Sequence, residues 1–308
     1  TLVYFGVADE EAGGPLGAGW MVDHHWDAIA CDYLLTEIGG WSVPTSDGSR
    51  RIAISVGEKG LAWRRLRISG TPAHGSMPYG ADNALITAAE VVRRLAAYRP
   101  APYLDDLWRG QVEAMAVPAD VKADLLDPGR LDGALGSLPP ALARRCHATT
   151  HTTFSPNVVH GGQKTNMIPD EVVLEVDIRT VPGETAGDVD THLRAALGDL
   201  AARVDVTPLQ SAMASRSHID NALWEVLRDR VQVAYPGSSL EPGLIVGGTD
   251  ARFFREKGTI AFGAALYSPA VTFESFGTRF HGNDERIDVE SLGLSTDLWL
   301  GVARQLLA

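Results

Sequence analysis

Thr1-Leu-Val-Tyr-Phe-Gly-Val-Ala-Asp-Glu-Glu11 sets an unbroken apolar run directly against two adjacent carboxylates. A run of this kind reads as a strand buried on both faces of an α/β sheet. Two carboxylates at the end of such a strand are costly unless they hold a cation or move a proton. Metal-assisted hydrolysis needs both jobs done: one carboxylate ligates, another deprotonates the attacking water. The pair could equally open a helix, since acidic residues favour its positive end and Gly13-Gly14 follows. Strands that would precede and complete such a site are expected to lie outside this chain, and Thr1 reads as the product of processing or cleavage.

Working outward, Gly13-Gly14-Pro15 opens a predicted helix to about Trp26, and Ala28 to Thr36 forms a second apolar segment ending at Glu37. Strand, helix, strand, each with chemistry at its C-terminal end, is the edge where open α/β sheets bind ligands. The texture changes near Gly57. Leu61–Ser69 alternates like a half-solvated strand. Ala81–Tyr98 is a clear helix, with Leu85, Ala88, Ala89, Val92, Leu95 and Ala96 predicted on one face. Residues 99–146 predict short inserted helices. Strands at Thr152–Val159 and Val172–Thr180, a helix at Ala186–Leu200 and a strand at Arg203–Leu209 complete the order of a split βαβ sandwich over 57–212. A helix from Ile219, strand-like runs at Leu244–Val246 and Thr259–Phe262, and a last helix at Val289–Leu307 then complete the sheet begun by residues 1–56. The expected architecture is an α/β catalytic domain (1–56 and 213–308), incomplete at its N-terminus, with an inserted α+β lid (57–212).

The 308 residues suffice for two cores, and 45% hydrophobic with 21% charged residues describes an ordinary globular chain. A net charge of −12 with no basic block argues against nucleic-acid binding. No stretch is apolar enough for a membrane span. Cys31 and Cys146 stand far apart, without ligand-like spacing, so no disulfide framework is expected; a cytoplasmic location is the working expectation.

Glu10, Glu11, Glu37 and His281 are the candidate metal-site residues, because all four fall at predicted strand ends or loops of one domain. Taken singly, Glu37 could be a solvated surface residue and His281 an ordinary loop histidine. Carboxylates with one imidazole suit Zn2+, with Co2+ or Mn2+ as substitutes.

Nine short motifs occur in order. They are Ala-Asp-Glu-Glu (8–11), Leu-Thr-Glu-Ile-Gly-Gly (35–40), Gly-Glu-Lys-Gly (57–60), Gly-Thr-Pro-Ala-His-Gly-Ser-Met-Pro (70–78) and Asn-Ala (83–84). Then come Asn-Met-Ile-Pro-Asp (166–170), Asp-Ile-Arg-Thr (177–180), Gly-Gly-Thr-Asp-Ala-Arg (247–252) and His-Gly-Asn-Asp-Glu (281–285). Together they resemble the M20 metallopeptidases, co-catalytic dizinc amidohydrolases that include aminoacylase-1, carboxypeptidases and succinyl-diaminopimelate desuccinylase. The resemblance implies two zinc ions per complete site. Glu10 resembles the general base acting on a zinc-bound hydroxide, Glu11 and His281 the ligands of one metal, and Glu37 a ligand of the other. His74 resembles the lid histidine that reaches the partner subunit's site and donates to the developing oxyanion; by itself it could be a turn residue. Asn166 and Arg179 match lid positions that touch substrate, although Asp177 and Arg179 might simply be a strand-edge ion pair. Gly248, Thr249 and Arg252 match a loop around the substrate carboxylate.

The same resemblance places a His-x-Asp strand and a metal-bridging Asp upstream of the Glu-Glu pair, before Thr1. Without them Glu11 and His281 serve one metal and Glu37 alone the other, where three protein ligands are usual. Three accounts follow: a separate N-terminal polypeptide supplies the missing His and Asp, the chain is truncated, or it is an inactive relative that binds or dimerises. The 99–146 insert tilts the expected substrate towards an N-acyl amino acid or small peptide, and the lid implies a homodimer. Serine or cysteine hydrolases find no support, for no Gly-x-Ser-x-Gly elbow occurs and the cysteines lack partners. His147, His151 and His192 are expected in structural or surface roles, the threonines around 149–153 arguing for strand or loop.

Overall fold

The computed structural model describes residues 1–45 and 48–308. The chain divides into two compact units: Thr1–Glu58, Leu104–Thr149 and Ser215–Ala308 form the first, Lys59–Tyr103 and Thr150–Ala214 the second. Up to Glu58 it forms helices α1 (Ala18–His24) and α2 (Trp26–Ile29) and strands β1 (Tyr33–Thr36), β2 (Ser42–Pro44) and β3 (Arg50–Glu58). Next come β4 (Gly60–Ser69), the short β5 (Ala73–His74) and α3 (Ala84–Ala97). Helices α4 (Asp106–Ala114), α5 (Ala119–Leu125), α6 (Leu131–Leu135) and α7 (Pro140–Thr150) follow. The second unit resumes through β6 (Thr153–Gly161), β7 (Met167–Ile168), β8 (Glu171–Thr180), α8 (Ala186–Leu197) and β9 (Val204–Ala212). The first is completed by β10 (Ser215–Arg216), α9 (Ala222–Ala234), β11 (Ser239–Ile245), α10 (Ala251–Glu256), β12 (Ile260–Gly263), α11 (Phe273–Phe276) and α12 (Val289–Leu306).

The hub of the first unit is β3. It pairs parallel with β11, and antiparallel with β2, with β10 and, at Ser55, with β12; β12 in turn runs parallel to β1. Its run Ile52-Ala-Ile-Ser-Val56 is buried, and Ile52, Ile54 and Val56 pack against Leu223, Leu227 and Val231 of α9 and Leu298 and Val302 of α12. This strand is missing from the sequence-based expectation, although its run, apolar at four of five positions, was the signal for it.

Two expectations need correction here. Residues 1–8 form no strand: Tyr4 is fully open to solvent, and Phe5 alone of the run packs, edge-on against Phe254. An apolar run becomes a strand only where neighbours accept its backbone hydrogen bonds, and these residues have none among the described ones. The helix expected over 13–26 begins only at Ala18, after a 3-10 turn at Glu10–Ala12, because Gly13 and Gly14 both adopt left-handed backbone, and it breaks at His25 into α1 and α2.

Residues 104–149, expected inside the inserted unit, pack with the first one. Their own core gathers Trp108, Val112, Leu125, Leu131, Leu135 and Cys146, while Leu107 enters the core around β3. Gln111 donates to Pro242 O at 3.3 Å, and Arg216 pairs with Asp105 at 3.0 Å. Residues 140–150 are helical, not strand or loop, and His147 on that helix approaches Asp132 within 4.8 Å.

The second unit has the expected split βαβ order. Its antiparallel sheet runs β6-β8-β4-β9, with α3 and α8 packed on it. Strict alternation on β8 turns Val172, Leu174, Val176 and Ile178 inward, towards Ala84, Ala88, Val91 and Leu95 of α3. The buried face of α3 is therefore turned from the expected one, with Leu85 exposed; Asn83 caps the helix by accepting from Leu85 N at 2.9 Å. Thr185 and Asp188 close a capping box at the start of α8.

Candidate active site

Four loops of the first unit build the site. In the first, Asp9 takes a left-handed backbone (φ 74°) and its Oδ2 accepts from Leu16 N at 2.9 Å, so the chain turns sharply at Glu10 and Glu11. Glu37 follows the last residue of β1, and Ile38 after it is also left-handed (φ 57°). His281 sits in the third loop with φ 54°, its Nε2 3.8 Å from Glu11 Oε2. Among the described residues the left-handed non-glycines are Asp9, Ile38, His281 and Asp284; the first three are at or beside a candidate ligand, and Asp284 lies in the His281 loop. Such backbone costs about 1–3 kcal/mol per residue and persists where the surroundings enforce it, commonly at functional sites.

The electrostatics are those of a site built for positive charge. Partial burial, then the neighbouring Glu11, raises the Glu10 carboxyl above its ordinary range. Glu37 is pushed up to about 7 by desolvation and by the charges of Glu10, Glu11 and Asp250, and it shares a side-chain hydrogen bond with Glu10. Asp250 is raised to about 6 by burial and by Glu10, and its buried Oδ1 has no hydrogen-bond partner among the described residues. Four mutually repelling carboxylates, an unpartnered carboxylate oxygen and one imidazole are a donor set that fits a divalent cation.

The 247–252 loop that carries Asp250 is fixed from below. Glu58, 1% exposed at the end of β3, accepts from the backbone and hydroxyl of Thr249, from Ser215 Oγ at 3.0 Å and from Arg255 at 2.9 Å. Arg252 is buried as well. Its guanidinium donates to Thr249 O at 2.9 Å and to Gly13 O, tying this loop to the Glu10–Glu11 turn. Thr249 and Arg252, expected to touch substrate, are thus occupied in holding the loops, and Gly248 is half-buried. Asp250 and Glu58 were missed as site residues although both lie inside quoted motifs; each acquires its role from partners distant in sequence.

His74, Asn166 and Arg179 belong to the second unit. β5 pairs antiparallel with β7, and Gly75 donates to Asn166 O at 2.8 Å, which brings His74 and Asn166 together. His74 is exposed and accepts from Ser76 N at Nδ1, so the neutral ring carries its proton on Nε2. Arg179 is forked onto Asp177 (2.7 and 3.1 Å), which also accepts from Trp63 Nε1: the strand-edge ion pair is formed. Beside it Lys59 is nearly enclosed and lowered to about 7, first by burial and then by Arg179, while donating to His151 O at 2.6 Å.

The peptidase dimerisation domain model of the M20 family matches residues 56–205. Over those residues the chain is similar to the M20 metallopeptidase family. It is 25% identical to the probable carboxypeptidase S-like 2 of Dictyostelium discoideum and to the N-fatty-acyl-amino acid synthase/hydrolase PM20D1 of Xenopus tropicalis. Each match covers 96% of this chain and 58% of the relative, so the chain spans little more than half of those proteins. The M20 metallo-carboxypeptidase of Sulfolobus solfataricus shares the fold, with a TM-score of 0.66 at 18% identity over 96% of this chain and 68% of that one. Among the described residues no helix is long and apolar enough to cross a membrane.

Proposed function

We propose that this chain contributes the metal and base residues of an amidohydrolase acting on N-acyl amino acids or small peptides. The observation that carries this reading is the convergence of Glu10, Glu11, Glu37, Asp250 and His281 from four loops of the first unit, with left-handed backbone at Asp9, Ile38 and His281. Glu11 and His281 would hold one divalent cation, zinc by donor type, and Glu37 a second. When bound, such ions activate water and polarise the scissile carbonyl. Glu10, raised by burial and then by Glu11, is a stronger base than an ordinary carboxylate, suited to take a proton from water and return it to the leaving amine. Asp250 adds negative charge behind Glu10 and Glu37. Glu58 and Arg252 hold the loops in register.

The dimerisation-domain match supports a homodimer formed through the second unit. In that assembly His74, protonated at Nε2, donates to the oxyanion in the partner subunit's site and Asn166 contacts the substrate, while Arg179 stays forked onto Asp177. The names of the carboxypeptidase S-like and N-fatty-acyl-amino acid relatives favour an amide next to a free carboxylate. The test is zinc stoichiometry by elemental analysis, with hydrolysis of N-acyl amino acids followed by release of the free amine. Zinc binding that Glu11→Ala and His281→Ala abolish, together with turnover, supports the assignment. Zinc bound in full by both variants refutes the ligand set, and zinc binding without turnover would assign a binding role instead.

A further inference from the structure

Beside the carboxylate cluster the first unit has a cleft of about 340 Å³ lined by Tyr267, Phe276, Phe280 and Ile287, with Arg279, Glu285 and Arg286 completing the wall. We propose that this cleft is the subsite for a neutral, apolar acyl group of the substrate. The proposal rests on the hydrolase reading above and adds where the acyl chain goes.

The rings form one connected wall. Tyr267 and Phe276 meet edge-on at 5.0 Å, and Phe276 and Phe280 meet tilted at 5.2 Å. That wall joins two of the candidate ligand loops. Tyr267, Phe276 and Ile38, the residue after Glu37, all pack on the cluster around Trp41, and Phe280 lies edge-on to the His281 ring at 5.5 Å. An acyl group whose carbonyl sat between Glu37 and His281 would find this cleft next to it.

The two arginines of the wall stand beside two acidic residues, Glu285 and Asp288. Arg279 is paired with Asp288 at 2.8 Å, and Asp288 also caps α12 by accepting from Ser291 N. Arg286 donates to Asp284 O, inside its own loop. Arg279 Nε is buried without a hydrogen-bond partner among the described residues, and the rest of what the wall offers a ligand is mainly aromatic and aliphatic surface. The volume falls at the small end of ligand pockets. At about 30 Å³ for each water-sized group it holds roughly ten heavy atoms, the size of an octanoyl or arylacetyl group.

The test is calorimetric binding of N-acetyl-, N-hexanoyl- and N-octanoylglycine to the zinc-free chain, where nothing turns over. Each methylene buried should tighten binding about fourfold; the half-open cleft should still favour octanoyl over acetyl by at least about 10-fold. Ile287→Asp, at a half-exposed position, should erase that gradient with the melting temperature unchanged, and Phe280→Ala should weaken it. Equal affinity for the three ligands, or a gradient that survives Ile287→Asp, overturns the proposal. A gradient in a protein that never binds zinc would sink the hydrolase reading and leave the cleft. Zinc-dependent turnover with no gradient would do the reverse.

Discussion

Replacing Glu58 by Gln removes one negative charge from a position that is 1% exposed and leaves the shape nearly unchanged. Arg255, whose side chain is 5% exposed, then keeps its charge with no counter-ion, although its hydrogen bonds to Ala261 O (2.8 and 3.3 Å) and to Ser215 Oγ (3.2 Å) survive. The Gln amide also brings N–H groups into a place built wholly from donors: Thr249 N, Thr249 Oγ1, Ser215 Oγ and Arg255. One carboxylate oxygen can be mimicked by the Gln carbonyl, so at least one donor is orphaned at about 1–3 kcal/mol. Breaking a buried ion pair from one side costs about 3–5 kcal/mol, and the two effects overlap, so the total stays near that figure. The assay is urea unfolding followed by tryptophan fluorescence, which reports mainly on the first unit because Trp63 alone lies in the second. With a slope of about 2–3 kcal/mol per molar, the midpoint should fall by roughly 1–2 M. Adding Arg255→Met to Glu58→Gln removes the stranded cation and should recover part of the loss, giving a coupling energy well above about 1 kcal/mol. A midpoint within about 0.3 M of wild type at unchanged slope, or strict additivity in the double variant, would refute the view that Glu58 anchors the 247–252 loop by charge.

Glu10→Gln should abolish amide hydrolysis while zinc stoichiometry is retained; loss of zinc instead would make Glu10 a ligand. His74→Ala should lower turnover by about 100-fold or more with metal content and dimer mass unchanged, as for loss of an oxyanion donor; unchanged turnover removes His74 from the mechanism. Glu37 and Asp250, raised to about 7 and about 6 from 4.5 and 3.8, favour the metal-free fold while protonated. Stability of the zinc-free protein should therefore be greatest below about pH 3.8 for these groups and decline until about pH 7, and zinc should reverse that decline. A zinc-free thermal melt that does not fall between pH 5 and 7.5 would contradict the carboxylate crowding.

The sequence by itself determined those features that depend on near neighbours along the chain. Alternation in Val172–Thr180 sets one face of β8, the Thr185–Asp188 pair marks where α8 starts, and the ordered motifs name Glu10, Glu11, Glu37 and His281. Tertiary structure decided the rest, because burial and pairing are properties of partners that lie elsewhere in the chain. Residues 1–8 have the composition of a buried strand and lie open, since nothing among the described residues pairs with them. Arg50–Glu58 is the hub of a sheet because β11, nearly two hundred residues on, runs beside it. Helices α4–α7 join the first unit through Leu107 and Gln111, which no periodicity within 99–146 could assign. Glu58 looks in sequence like any acidic residue beside a lysine, and becomes an anchor only when Thr249, 191 positions away, donates to it.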